Sequence, residues 1–312
     1  MADALDWATD GADWPLRESS RFVEAAGIRW HVQVLGDGPA LLLLHGTGAS
    51  GHSWRDIAPR LAQRWRVVVP DLPGHGFSTR GSGRSTTLPG MAGALGALLQ
   101  ALGTRPAGAV GHSAGAAIAV RMALDGRLPD ARAIVSLNGA FVPFEGAMRL
   151  LSPVARVLAA TSLAARVTAL RARDGRAVDR LLDSTGSRLD ASGRALYARL
   201  VRSPAHVGGA LAMMASWDLE RLWRDLPRLA VPLRLVVGLA DGTVPPADAE
   251  RVVLRVSGAR LERLPGLGHL AHEEEPDRLA TLVETLLGTG LSTQPDTVRS
   301  AHVDTRGCDR DG

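Results

Sequence analysis

The sequence predicts an α/β protein: a mostly parallel sheet with helices on both faces and a helical cap inserted before the last strands. Three observations carry this expectation. Short, uninterrupted apolar runs recur, such as Ala40-Leu41-Leu42-Leu43-Leu44 and Val67-Val68-Val69. Runs of that kind belong to strands buried on both faces, as in parallel sheets. Helical patterns separate them, the alternation expected of βαβ units. Over residues 141–226 only helical patterns occur, and strands then resume.

Taken in order, residues 1–20 read as a polar arm that holds Trp7 and Asp13-Trp14-Pro15. Two tryptophans in such an arm predict that it docks on the body. Residues 21–25 and 28–34 alternate around a Gly-containing turn and predict an antiparallel hairpin. The run at 40–44 is a buried strand that ends at His45-Gly46-Thr47-Gly48. A helical pattern over 54–64 precedes the strand at 67–69. The turn Asp71-Leu72-Pro73-Gly74-His75-Gly76-Phe77-Ser78 follows, then a helix over 88–102. Ala107 to Val110 is apolar, 116–124 is helical and 133–137 is a strand. After the insertion come a strand at 233–238, a helix from Ala247, a short strand at 260–264 and a helix over 270–287. The polar, aperiodic end predicts a disordered tail over 288–312. The expected division is therefore arm 1–20, core 21–140 and 227–287, cap 141–226, and tail.

Composition excludes several classes. The chain of 312 residues holds one cysteine, Cys308, so neither a disulfide framework nor a cysteine metal site forms within it. No apolar run approaches the roughly 18 residues of a membrane span. The start carries Asp3, Asp6 and Asp10 and no basic region, which predicts a cytoplasmic protein without a signal peptide. A net charge of +4 with a pI near 10.6 suggests nucleic acid at first sight. Every basic residue is arginine, however, and arginine stays charged to about pH 12, so a small excess gives a very high pI. No nucleic-acid motif is present.

The centre of the chain is Gly111-His112-Ser113-Ala114-Gly115, between an apolar run and a helix rich in small residues. Strand, sharp turn and helix around Gly-x-Ser-x-Gly form a nucleophile elbow. The turn lifts the Ser113 hydroxyl clear of the backbone, and the helix aims its first N–H groups at charge developing there. Asp241 and His269 follow the strands ending at Gly238 and Leu264, in the order nucleophile, acid, base. Ser113, Asp241 and His269 are thus the candidate catalytic residues. The oxyanion hole is assigned to the N–H groups of Thr47 and Ala114. Asp71 is a rival acid, read as structural because it opens a Gly-rich turn. His272 is a rival base one helical turn after His269. The remaining histidines lack metal-ligand spacing, and the serine chemistry needs no cofactor and no metal.

These residues resemble the α/β-hydrolase superfamily, over residues 21–287. A closer resemblance is carried by the Trp7 and Asp13-Trp14-Pro15 arm, by His45-Gly46-Thr47-Gly48-Ala49-Ser50 and by Ser136-Leu137-Asn138-Gly139-Ala140. It continues in Ala212-Met213-Met214-Ala215, Trp217-Asp218 and Gly268-His269-Leu270-Ala271-His272-Glu273-Glu274. Those stretches are similar to the magnesium-chelatase accessory proteins of bacteriochlorophyll biosynthesis. The resemblance implies a photosynthetic bacterium, a role in tetrapyrrole metabolism, and chelatase subunits as partners near the photosynthetic membrane. Ester or acyl hydrolysis, a non-catalytic binding role, and a cofactor-free haloperoxidase-like or lyase activity all remain open. An aspartate-nucleophile dehalogenase is disfavoured by Ser113.

Residues 147–204 hold eleven arginines against four aspartates, a local excess of seven charges interleaved with Leu, Val and Ala. A basic amphipathic cap suits a membrane surface or a flat apolar substrate with carboxylate tails, such as a porphyrin. A solvated outer helix face is the plain alternative. Met213, Met214 and Trp217 are candidates for lining an adaptable apolar substrate pocket.

Overall fold

The computed structural model describes residues 4–143, 161–171 and 175–288. Eight strands form one sheet: β1 (Ser20–Ala25), β2 (Ile28–Leu35), β3 (Ala40–Leu44), β4 (Arg66–Pro70), β5 (Gly108–His112), β6 (Ile134–Leu137), β7 (Leu233–Gly238) and β8 (Arg260–Leu264). Their spatial order is β1-β2-β4-β3-β5-β6-β7-β8. The opening hairpin pairs antiparallel and joins β4 antiparallel, with Val32 opposite Pro70. From β4 onward every pair is parallel. The carboxyl ends of β3 to β8 therefore share one edge, where open α/β sheets bind ligands.

The helices are α1 (Ala58–Leu61), α2 (Leu88–Ala101), α3 (Ala114–Leu124), α4 (Ser162–Arg171), α5 (Gly175–Asp183), α6 (Ala191–Val201), α7 (Pro204–Ser216), α8 (Leu219–Asp225), α9 (Ala247–Val253), α10 (Ala271–Glu274) and α11 (Pro276–Gly288). The two-residue period of the strands decides which face each side chain joins. Leu42, Leu44, Val68, Ala109 and Leu235 pack with α2, α3 and α9. Leu41, Leu43, Val67, Val69, Val110 and Val236 pack with α1 and α11. Leu41 to Leu44 are all fully buried, which is why that run shows no polar alternation. Between β6 and β7 the described residues form helices α4 to α8 and no strand.

Two expected helices differ in the structure. The pattern over 54–64 yields only the short α1, preceded by a 3-10 turn at Gly51–Trp54. Pro59 has no N–H to give, so regular bonding starts only around it. The pattern over 270–287 is broken into α10 and α11 at Glu275, whose φ of −130° and ψ of 67° are not helical. Pro276 follows, and proline drives the residue before it out of the helical region.

The arm lies on the body. Trp14 is 2% exposed and meets Phe77 edge-on at 5.0 Å. Trp7 packs against Phe22, His31 and Phe77. Gln33 Nε2 donates to the Pro15 and Leu16 carbonyls, and Arg199 of α6 pairs with Asp13. Residues 289–312, most of the expected tail, lie outside the described residues. So do Arg149, Arg156 and Arg173 of the basic insertion.

Candidate active site

Ser113 sits between β5 and α3 with φ 51° and ψ −117°. A non-glycine residue there carries strain of about 1–3 kcal/mol. The surroundings hold it in place: its N–H donates to Leu137 O at 2.9 Å, and its carbonyl accepts from Ala116 at 3.1 Å and Ala140 at 3.2 Å. The turn closes only because Gly115 lacks a side chain; a Cβ there would lie 2.2 Å from the Leu44 carbonyl oxygen. Strand β5 thus delivers Ser113 to the carboxyl edge beside the end of β3.

Loops after β7 and β8 bring Asp241 and His269 together. His269 Nδ1 lies 2.8 Å from Asp241 Oδ2, and both side chains are nearly buried. Since the carboxylate only accepts, the proton sits on Nδ1 and Nε2 keeps a free lone pair. Asp241 is fully engaged. Its Oδ1 accepts from the N–H groups of Thr243 at 2.7 Å and Val244 at 2.9 Å, and its Oδ2 also accepts from Asn138 Nδ2 at 2.7 Å. Asn138 directly follows β6 with φ 48° and is 1% exposed. Ser113 Oγ and His269 are not hydrogen-bonded in this state; such contacts tighten once substrate is seated.

His112, next to Ser113, ties the elbow to the base loop. Its Nε2 donates to the His269 carbonyl at 3.0 Å, and its ring lies 4.7 Å from that of His269 and 4.5 Å from that of His272. His272 is 1% exposed and packs on Trp54 at 4.8 Å. Neither of its ring nitrogens has a partner, and burial pushes it down to about 3. It is core filling rather than an alternative base.

Asp71, the rival acid, is wholly buried and bonded to His31 Nδ1 at 2.8 Å, Gly51 N at 2.7 Å and Phe77 N at 2.9 Å. Burial opposes its ionisation, but these donors and the neighbouring histidines hold it well below the usual carboxylate range. It braces the turn that follows β4, as expected of a structural aspartate.

On the oxyanion side, Ala114 opens α3, so its N–H has no helical partner. In the loop after β3, the turn bond runs from Ala49 N to Gly46 O and leaves Thr47 N–H unused. Helix α7 roofs this loop. Thr47 Oγ donates to Met213 Sδ at 3.4 Å. His206 Nδ1 accepts from Gly76 N at 3.0 Å, so its Nε2–H donates to Gly48 O at 3.1 Å. Met213 and Trp217 are buried with the core, whereas Met214 is 55% exposed.

The other end of the insertion is anchored through a buried polar network. Arg55 Nη1 donates to Glu273 Oε2 at 2.6 Å, and Tyr197 of α6 donates to Glu273 Oε1 at 2.7 Å. Among the insertion's arginines, Arg194 pairs with Asp179 and Asp183, and Arg199 with Asp13, so these two serve the fold.

The roles of Asn138, His112, His206 and Glu273 were not assigned from sequence. Only Asn138-Gly139 carried a local signal, a strand end before a glycine. The others depend on chain crossings that no spacing reveals.

Six of these histidines are buried and neutral. Burial lowers His45, His52, His75 and His112, and takes His206 down to about 4. Unfolded histidine protonates near 6.5. The unfolded chain therefore binds more protons as pH falls below 6.5, and stability declines until the folded values are reached. For His206 alone, the gap from 6.5 to about 4 is worth about 3 kcal/mol. Urea midpoints are expected to be flat above pH 7 and to fall steeply between pH 6.5 and 4.5; a flat profile there contradicts neutral burial.

Comparison with known proteins agrees with this geometry. The model of the alpha/beta hydrolase fold family matches residues 39–276. The chain is 43% identical over 278 residues to the magnesium-chelatase 30 kDa subunit of Rhodobacter capsulatus, covering 87% of this chain and 95% of that protein. It is 28% identical over 267 residues to the pyrrolizixenacetamide deacetylase of Xenorhabdus hominickii, covering 81% and 92%. A crystal structure of an alpha/beta hydrolase fold protein from Burkholderia ambifaria superposes with a TM-score of 0.71 at 26% identity, over 84% of this chain and 96% of that one. Sequence, elbow, sheet order and relatives converge, and the chain belongs to the alpha/beta hydrolase fold family.

Proposed function

We propose that the protein is a serine hydrolase that cleaves an ester or related acyl bond of a hydrophobic small molecule, and that it serves magnesium chelation in tetrapyrrole biosynthesis. The observation that carries the chemistry is the strained Ser113 on the same sheet edge as a His269–Asp241 pair held at 2.8 Å. The biosynthetic setting comes from the likeness to the Rhodobacter capsulatus chelatase subunit. In this reading residues 1–20 are a docking arm, 21–140 and 227–287 the core, and 141–226 a cap over the site.

In the reaction His269 Nε2 takes the proton of Ser113 Oγ as the oxygen attacks the substrate carbonyl. Asp241 holds the imidazole with Nδ1 protonated and stabilises the imidazolium that forms. The N–H groups of Thr47 and Ala114 receive the developing oxyanion. His269 then delivers its proton to the leaving oxygen or nitrogen, the carbonyl re-forms and an acyl-Ser113 remains. Water, deprotonated by the same Nε2, releases the acid and restores the serine. The test is labelling by a fluorophosphonate probe, with and without tetrapyrroles as competitors. Labelling at Ser113 that a tetrapyrrole suppresses supports this reading.

The same relative is a subunit by name, which favours a second reading: a non-catalytic accessory that binds a tetrapyrrole or the chelatase. Tetrapyrrole binding without any labelling supports that one.

The arginine excess of the insertion suits anionic groups, either substrate carboxylates or lipid heads. Screening steepens with salt, with a Debye length near 10 Å at 0.1 M. Binding of a dicarboxylate porphyrin, read by tryptophan quenching, is expected to weaken as salt rises, while its dimethyl ester binds less well and responds little. Charge reversal at the exposed Arg171 and Arg180 mimics salt. Sedimentation with anionic vesicles separates peripheral membrane contact from substrate capture. Equal binding of acid and ester, with no salt effect and no vesicle capture, makes these arginines a solvated face. Among the described residues no helix is long and apolar enough to cross a membrane.

A further inference from the structure

Besides the α7 roof, the insertion meets the acid and base loops at a seam. The loop 184–187, which follows α5, lies against the loops that carry Asp241 and His269. The Thr185 carbonyl accepts two bonds, from Gly242 N at 3.1 Å and from His269 N at 3.1 Å. Ser187 Oγ accepts from Leu270 N at 2.8 Å, and Ser187 is 4% exposed. The Glu274 carboxylate closes the seam: Oε1 accepts from Gly268 N at 2.8 Å and Oε2 from Arg188 N at 3.1 Å. The backbones touch here. Gly186 has φ +77°, and a Cβ on it would lie 1.9 Å from the Ala240 carbonyl oxygen.

We propose that the loop 184–187 is the positioning element of the His269–Asp241 pair, with Ser187 as its side-chain anchor. Asp241 and His269 come from the ends of different strands. Their loops bond to each other through Ala240 N and Leu267 O at 2.9 Å. That bond lies before both residues in the chain. Beyond it, the shared partner is the Thr185 oxygen, whose two lone pairs take one N–H from each loop. A single atom of the insertion therefore bridges the acid loop and the base loop. Ser187 and Glu274 hold the residues on either side of His269, so the ring direction follows the insertion's seat. Catalytic competence and docking of the insertion are one equilibrium: lifting this loop frees His269 N–H and Gly242 N–H together.

Only the kinetic part of this proposal rests on the hydrolase reading. A spectroscopic readout is independent of it. The proton between His269 Nδ1 and Asp241 Oδ2 gives a far-downfield NMR line, assigned by its loss in Asp241→Asn. In the full-length Ser187→Ala protein, held well below its melting temperature, this line is expected to move upfield and broaden by exchange with water. In the same variant kcat is expected to fall tenfold to a hundredfold with KM within about twofold, as for a misplaced catalytic group. Should Ser187→Ala fail to fold, Glu274→Gln keeps the size of the side chain but can accept only one of the two N–H bonds, and gives a shift in the same direction. An unmoved line, with kcat within twofold of wild type, overturns the proposal. If wild type is not labelled by fluorophosphonate yet the line responds as stated, the hydrolase reading fails and the positioning role stands.

Discussion

Replacing Ser113 with alanine is expected to abolish fluorophosphonate labelling and to lower kcat by a factor on the order of 10⁶, the loss measured for the nucleophile of another Ser-His-Asp enzyme. The neighbouring His112 cannot take its place. His112 is buried, its Nε2 is engaged on the His269 carbonyl, and burial holds it well below the ordinary histidine range. The fold should survive, because the hydroxyl makes no bond that holds the turn; the turn is held by backbone bonds to Leu137, Ala116 and Ala140. Alanine keeps the φ of 51° and the strain with it. Ser113→Gly relieves that strain, and is expected to melt at or above the wild-type temperature while being equally inactive. Labelling that persists at another serine in Ser113→Ala would falsify the assignment.

The second large effect is at His269. His269→Ala is expected to come close to the Ser113→Ala loss, since the pair acts as one unit. The same experiment at His272 separates chemistry from packing. His272 is buried between His112 and Trp54 with no bonded partner, so His272→Ala leaves a cavity. Filling large-to-small holes of this kind is incomplete and costs about 2–5 kcal/mol. The expected pattern is a marked fall in melting temperature for His272→Ala with most of the activity kept below it. For His269→Ala the expected pattern is the reverse. Activity lost at His272 in a protein that remains folded, and kept at His269, moves the base by one turn.

Much of the fold was legible because its physics is local. The unbroken apolar runs at 40–44 and 67–69 mark strands buried on both faces, and Leu41 to Leu44 are indeed fully buried. The hairpin's alternation marks a one-sided edge, and β1 and β2 form that edge. Where prediction slipped, a local rule was overridden by another local rule. Pro276 splits one expected helix and Pro59 shortens another, although their apolar periodicity runs on without a break.

The candidate site divides differently. Residue types, chain order and turn chemistry are properties of the sequence alone. They placed Ser113 in an elbow and put Asp241 and His269 after strand ends, and they marked Asp71 as a turn brace. Which histidine could face the serine was not readable from spacing, since His269 and His272 differ by three residues. Partners separate the two, since His269 meets Asp241 and His272 meets no polar group, and such partners are a property of the packed chain. The same holds for the donors around Asp241. Asn138 reaches it from another strand, 103 residues away in the chain. Thr185 and Ser187 bear on His269 and its neighbour Leu270 only because the insertion folds back over the sheet edge. Sequence by itself determined the fold class and the chemical inventory, because strand burial and turn geometry are set within a few residues. Only the tertiary structure decided which members of that inventory meet, because a hydrogen bond of 2.8 Å between distant segments depends on how every intervening element packs.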